Sequence, residues 1–198
     1  MDDPTARWIG RVLLVCGVVG AAASFALVLE RIALWENPLH VPSCTIDAVL
    51  SCGSVMTSAQ SELFGFPNSL IGLATFPVVA AVGVASIGGG GARVLWLGLQ
   101  AGATAGVVFV HWLIGQSVVA IGALCPYCMV VWVVTITAFW YTTLHNALSG
   151  RLVLPSRWRA LAVRAGRVHG AVLATWFVLI GALVAVRFWE HWTGAGGS

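Results

Sequence analysis

The sequence predicts an all-α integral membrane protein with five transmembrane helices, and three observations predict it. Of 198 residues, 59% are hydrophobic and only 9% charged, with a mean hydropathy of +0.93, whereas a soluble domain carries about 25% charged residues. Stretches free of acids and bases recur at lengths that suit the roughly 20 helical residues needed to cross a hydrocarbon core about 30 Å thick. The charges gather between those stretches.

Residues 8–29 supply the first span. Arg7 and Arg11 followed by Ala21-Ala22-Ala23 also fit a cleaved signal peptide, but the apolar run continues through Phe25 to Leu29, as a retained helix would. Residues 30–67 form an outer cap loop, too long for a simple turn and expected to hold a short helix of its own. The second span covers 68–87, with a kink expected at Pro77. Gly88 to Gly91 make an inner turn, and without a following Gly-Lys-Ser/Thr they form no phosphate loop. Residues 94–150 are too long for one crossing and are read as two helices, 94–114 and 121–144. An arginine-rich inner loop, 145–167, leads to the fifth span at 170–188 and a small-residue tail, Thr193 to Ser198. The whole of 1–198 reads as one membrane domain.

Arginine supplies all ten basic residues, and eight of them (Arg7, Arg11, Arg93, Arg151, Arg157, Arg159, Arg164 and Arg167) fall on one side of the predicted spans. That side is expected to be cytoplasmic, with the C-terminus outside. The net charge of +3 is therefore an orientation signal and not a nucleic-acid one. Trp8, Trp35, Trp96, Trp112, Trp158, Trp189 and Trp192 lie near span ends, where indoles anchor at the interface; Trp132 does not.

Cys44 and Cys52 lie in the outer loop, while Cys125 and Cys128 form a CxxC at the start of the fourth span, so the topology puts both pairs on one side. A CxxC at a helix start sets its sulfurs one turn apart and exposes the first to the positive helix end. Pro126 suits an early helical position. Thiol relay, static disulfides and a four-cysteine zinc site all use such pairs; zinc ordinarily wants a second close pair, and here the partners are eight positions apart. Cys16, alone in the first span, reads as an inert apolar residue.

Cys44, Ser51-Cys52, Ser58, Asn68 and the Cys125/Cys128 CxxC together resemble the vitamin K epoxide reductase family over about residues 10–145, in particular bacterial members without a fused thioredoxin domain. The resemblance implies a four-helix bundle around a quinone pocket, with the fifth helix an addition outside it. It implies that Cys44 and Cys52 take electrons from a DsbA-like thioredoxin-fold protein of the periplasm. Cys52 then passes them to Cys125, and Cys128 faces the quinone, a menaquinone or ubiquinone. Asn68 matches the asparagine that bonds a quinone oxygen, and it also suits a helix N-cap. Trp132 stands where many members have a tyrosine, and its N–H donates but cannot accept. Ser58 matches a serine near the pocket, though a local backbone bond suits it equally.

The activity so implied is that of a quinone-dependent thiol oxidoreductase of the bacterial inner membrane supporting disulfide formation. Reduction of a quinone or quinone epoxide as the main role is a second expectation, and a non-catalytic protein stapled by disulfides a third. His111 in the third span is a candidate proton donor, more readily an interfacial residue beside Trp112. Asp47 either tunes charge between the loop cysteines or caps a short helix of the cap loop.

Overall fold

The computed structural model describes residues 4–89, 92–153 and 155–194. Gly90 and Gly91 of the inner turn, and the tail from residue 195, lie outside the described residues. The helices are α1 (Pro4–Glu36), α2 (Cys52–Met56), α3 (Ser69–Ile87), α4 (Arg93–Gly115), α5 (Pro126–Leu148), α6 (Ser156–Arg167), α7 (His169–Arg187) and α8 (Trp189–Thr193). Five of them, α1, α3, α4, α5 and α7, are long and apolar enough to cross a membrane. The chain is an all-helical membrane protein.

α1 has 33 residues, and at about 1.5 Å per residue it is about 50 Å long, well beyond a 30 Å hydrocarbon core. The expected end at residue 29 marks where the apolar run stops; the helix continues as a post through Glu30, Arg31 and Trp35. α3 runs unbroken through Pro77. α4 passes into a wider π turn, Gln116–Ile121, which ends at Gly122 with φ +68°. This left-handed residue stops the helix, so α5 starts at Pro126 with Cys125 as its N-cap, five residues later than the apolar pattern suggests.

α1 packs along α3 and also against α5, α5 packs on α4, and α7 stands against α5. The α1–α3 contact is backbone to backbone. A Cβ on Gly17 would lie 2.4 Å from Ala80 N, one on Gly83 2.6 Å from Leu14 N, and one on Gly10 2.8 Å from Gly83 O. Small residues at such a seam let two helices approach where lipid offers no hydrophobic drive. By contrast α3 and α4 touch little.

The arginine-end half of the bundle is filled by Ile9, Leu13, Phe76, Trp96, Leu99, Val134 and Tyr141, with Cys16 buried among them. Trp96, expected at the interface, is only 1% exposed. Its ring lies 3.9 Å from that of His145 and 5.6 Å from the Arg151 guanidinium, because the last turns of α5 fold over it. α7 turns Val178, Leu179, Leu183 and Val186 outward, as a lipid-facing helix must.

Gly17→Ala and Gly98→Ala separate close packing from helix propensity, since a Cβ at Gly98 meets nothing within 4 Å. Gly98→Ala should stabilise by up to about 1 kcal/mol, whereas Gly17→Ala should destabilise by about 1–3 kcal/mol through overpacking. Denaturant unfolding in detergent micelles measures both, and equal effects would refute the backbone contact.

Candidate functional site: a buried cluster of sulfurs

Four cysteines meet at the end of the bundle opposite the eight clustered arginines. After α1, the loop carries Cys44, tightens at Ile46–Leu50 and enters α2 at Cys52. Ile46 N–H donates to Leu50 O at 2.7 Å. Inside that turn Asp47 Oδ1 accepts the N–H groups of Val49 at 2.7 Å and Leu50 at 2.8 Å. Ser51 caps α2 by accepting the Ser54 N–H at 3.2 Å, the usual role of serine before a helix.

Two residues past Gly122 the returning chain pairs with this loop. Leu50 and Leu124 form a parallel bridge: Leu124 N–H donates to Val49 O at 2.7 Å and Ser51 N–H to Leu124 O at 2.9 Å. Cys52 and Cys125 follow directly, so their sulfurs lie 3.1 Å apart. Cys44 and Cys52 are joined as a disulfide, while Cys125 and Cys128 are free thiols. Cys44, Cys52 and Cys125 are all buried, with Leu27 and Met56 around them.

Cys125 Sγ accepts the Cys128 N–H at 3.3 Å. The Cys128 thiol, then the backbone N–H groups of Cys128 and Tyr127, hold the Cys125 thiol below its ordinary range against the opposing effect of burial. The Sγ atoms of Cys44, Cys52 and Cys125 lie within 4.8 Å of one another, close enough for a metal. With Cys44 and Cys52 bonded, two of those three donors are not thiolates, and the donor set suits disulfide exchange better than a cation.

Asn68 precedes α3 but makes no side-chain cap bond. Its Nδ2 donates to Gln60 O at 2.7 Å, tying α3 to the 3-10 turn Ala59–Glu62, and its Oδ1 is buried without a hydrogen-bond partner. Ser58 donates to Val55 O at 2.7 Å. Trp132, one turn beyond Cys128, is buried in an apolar cluster with Val49, Val110, Ile114, Val184 and Phe188, against which Cys128 packs. A groove of about 890 Å³ along α4, lined by Leu63, Ala101, Thr104, Ala105, Val108, Phe109 and Trp112, contains none of these three residues.

His111 accepts the Trp176 N–H on Nε2 at 3.0 Å, and its Nδ1 lies 2.7 Å from Val107 O, so both ring nitrogens are engaged in tying α4 to α7. α7 also reaches the site through Val184, as does Phe188 just past its end, and His191 of α8 lies 3.6 Å from Asp47. Sequence reasoning missed this support, as it missed the bridge and the contacts of Glu30 and Arg31.

The backbone N–H groups of Leu50 and then Val49 lower the carboxyl of Asp47, with His191 a lesser cause. A depressed carboxylate stabilises the fold above its unfolded value and loses that contribution as pH falls through its folded one. Protection of the Val49 and Leu50 amides from hydrogen exchange, relative to intrinsic rates, should therefore persist through the ordinary carboxylate titration range and fail only below it. Asp47→Asn, which lacks the charge, should weaken that protection at pH 7.

A family model described as the vitamin K epoxide reductase family matches residues 11–143, covering α1 through most of α5. A comparison with the curated proteins finds no match. The matched region takes in all four clustered cysteines, α3, α4 and most of α1 and α5, and stops before α6 and α7. The chain belongs to the vitamin K epoxide reductase family of quinone-linked thiol oxidoreductases.

Proposed function

We propose that the chain is a quinone-dependent thiol oxidase that reoxidises a DsbA-like thioredoxin-fold protein, relaying electrons from Cys44 and Cys52 to Cys125 and Cys128. The observation that carries this reading is the 3.1 Å separation of Cys125 Sγ from Cys52 Sγ while Cys52 is bonded to Cys44. Static staples have no need of a third sulfur at that distance.

The partner's thiolate attacks Cys44, breaking the Cys44–Cys52 bond and releasing Cys52 as thiolate. The partner's second thiol then displaces Cys44, so the partner leaves as a disulfide and the loop pair as a dithiol. Cys52 next attacks Cys125 of a Cys125–Cys128 disulfide, and Cys128 leaves. Cys44 attacks Cys52, freeing Cys125, which restores the loop disulfide beside a reduced CxxC. Each exchange passes through a mixed disulfide and conserves electrons. A bound quinone supplies the sink for the two electrons and two protons of the Cys125/Cys128 dithiol.

The residues present fit such a head group. One Asn68 N–H is engaged by Gln60 O, and the amide keeps a second N–H and the partnerless Oδ1, a donor for a carbonyl oxygen and an acceptor for a hydroxyl. Trp132 offers an N–H one turn past Cys128. Ser58, its proton on Val55 O, retains acceptor lone pairs. The α4 groove is too apolar to orient a polar ring, which favours the head group near Cys128. Menaquinone and ubiquinone both suit this chemistry.

DsbA-like proteins are strong oxidants near about −120 mV, so the acceptor must be more oxidising still, as a respiratory quinone is. We place the protein in the bacterial inner membrane, with the arginine end cytoplasmic by the positive-inside rule and the cysteine end periplasmic, where disulfides persist.

Quinone reduction followed by ultraviolet absorbance, with a reduced DsbA-like donor, tests this reading. Cys128→Ser should abolish turnover, and unchanged turnover would move the quinone-facing thiol elsewhere. Asn68→Ala should raise the quinone KM about five- to tenfold, the loss of one net hydrogen bond; an unaltered KM would remove Asn68 from the pocket.

A further inference from the structure

α1 leaves the membrane as a continuous helix, and two adjacent residues on its projecting turns grip opposite arms of the cysteine loop. Glu30 Oε1 accepts the Ser43 N–H at 3.1 Å and the Ser43 hydroxyl, and Oε2 is bonded to His40 Nε2 at 2.8 Å. Ser43 is the neighbour of Cys44. Arg31 donates from Nη1 to Met56 O, the last residue of the helix that Cys52 begins, and pairs through Nη2 with Glu62 in the following 3-10 turn. Its guanidinium also lies over the Trp35 ring, 5.4 Å from the centroid. Neighbours on a helix point about 100° apart, so the two side chains reach different arms without competing.

We propose that Glu30 and Arg31 are positioning residues for thiol exchange. Arg31 holds the Cys52 arm over Cys125, and Glu30 holds the Cys44 arm so that Cys44 returns to Cys52. This rests on the relay proposed above and adds a division of labour to it. Arg31 governs formation of the Cys52–Cys125 bond, and Glu30 governs its resolution by Cys44. Both grips rest on a charged side chain, and charge-assisted hydrogen bonds are about twice as strong as neutral ones.

The division gives opposite signatures that a general loss of structure would not. Full-length Cys44→Ser protein is reduced with dithiothreitol, desalted and oxidised with ubiquinone-1, which takes two electrons as Cys125 and Cys128 form a disulfide. Cys52 then attacks Cys125, Cys128 leaves as thiolate and is protonated, and the trapped adduct is counted by mass spectrometry of non-reduced peptides. Arg31→Ala in this background should form the adduct about tenfold more slowly, as small misplacements of reacting groups do. With all native cysteines, Glu30→Ala should accumulate the same adduct about tenfold above the parent, because Cys44 is no longer delivered. Arg31→Lys, which keeps the charge and one donor direction, should fall between Arg31→Ala and the parent. Adduct levels that do not change, or that fall in both variants, overturn the clasp while leaving the relay standing. A Cys44→Ser parent that never yields the adduct overturns the relay itself.

Discussion

Two backbone hydrogen bonds, joining Leu124 to Val49 and Ser51, decide where the cysteines of this protein meet. They pair in parallel two segments distant in sequence, one from the cap loop and one from the π turn that ends α4. Because each segment carries a cysteine immediately after the bridge, pairing the backbones pairs the sulfurs. Three features of the cysteine end bear on that bridge. Asp47 tightens the turn before Leu50, Gly122 permits the reversal before Leu124, and Val184 of α7 and Phe188 just past its end pack with Val49.

The bridge in turn needs a fixed foundation in a medium that supplies little drive for helices to associate. α1 and α3 meet through glycine where their backbones come close enough that a methyl group on either would collide. That contact fixes α1 as a post, and the post carries Glu30 and Arg31 out to the loop. The cap is thus held twice, by the bridge to the chain before α5 and by side chains of α1.

Much of this was legible in the sequence. Five spans follow from charge-free length alone, and the cysteine pairs fall on one side by topology. What was not legible depends on contacts between distant positions. Leu50 and Leu124 are ordinary leucines, and nothing in their type or spacing announces a bridge. The apolar run of the first span stops at Leu29, whereas a helix outside lipid needs only partners for its charges, and α1 continues to Glu36. Gly10 and Gly17 stand seven apart on one helix face, a signal that was present and not used. Trp96 followed the interfacial habit of indoles in sequence and broke it in space, because the end of α5 covers it. Asn68 suited an N-cap by type, yet its amide reaches Gln60 instead.

The seam between α3 and α4 has a consequence of its own. One side of the bundle is locked backbone to backbone, while the opposite side is loosely joined and bears an apolar groove along α4. Anything entering the bundle by that route comes from hydrocarbon, not from water. Its effective concentration is then set by how much of it the bilayer dissolves and its arrival by diffusion in two dimensions, so that under the proposed relay the membrane is the reservoir for the quinone and the aqueous compartment above the cap supplies the thiol partner.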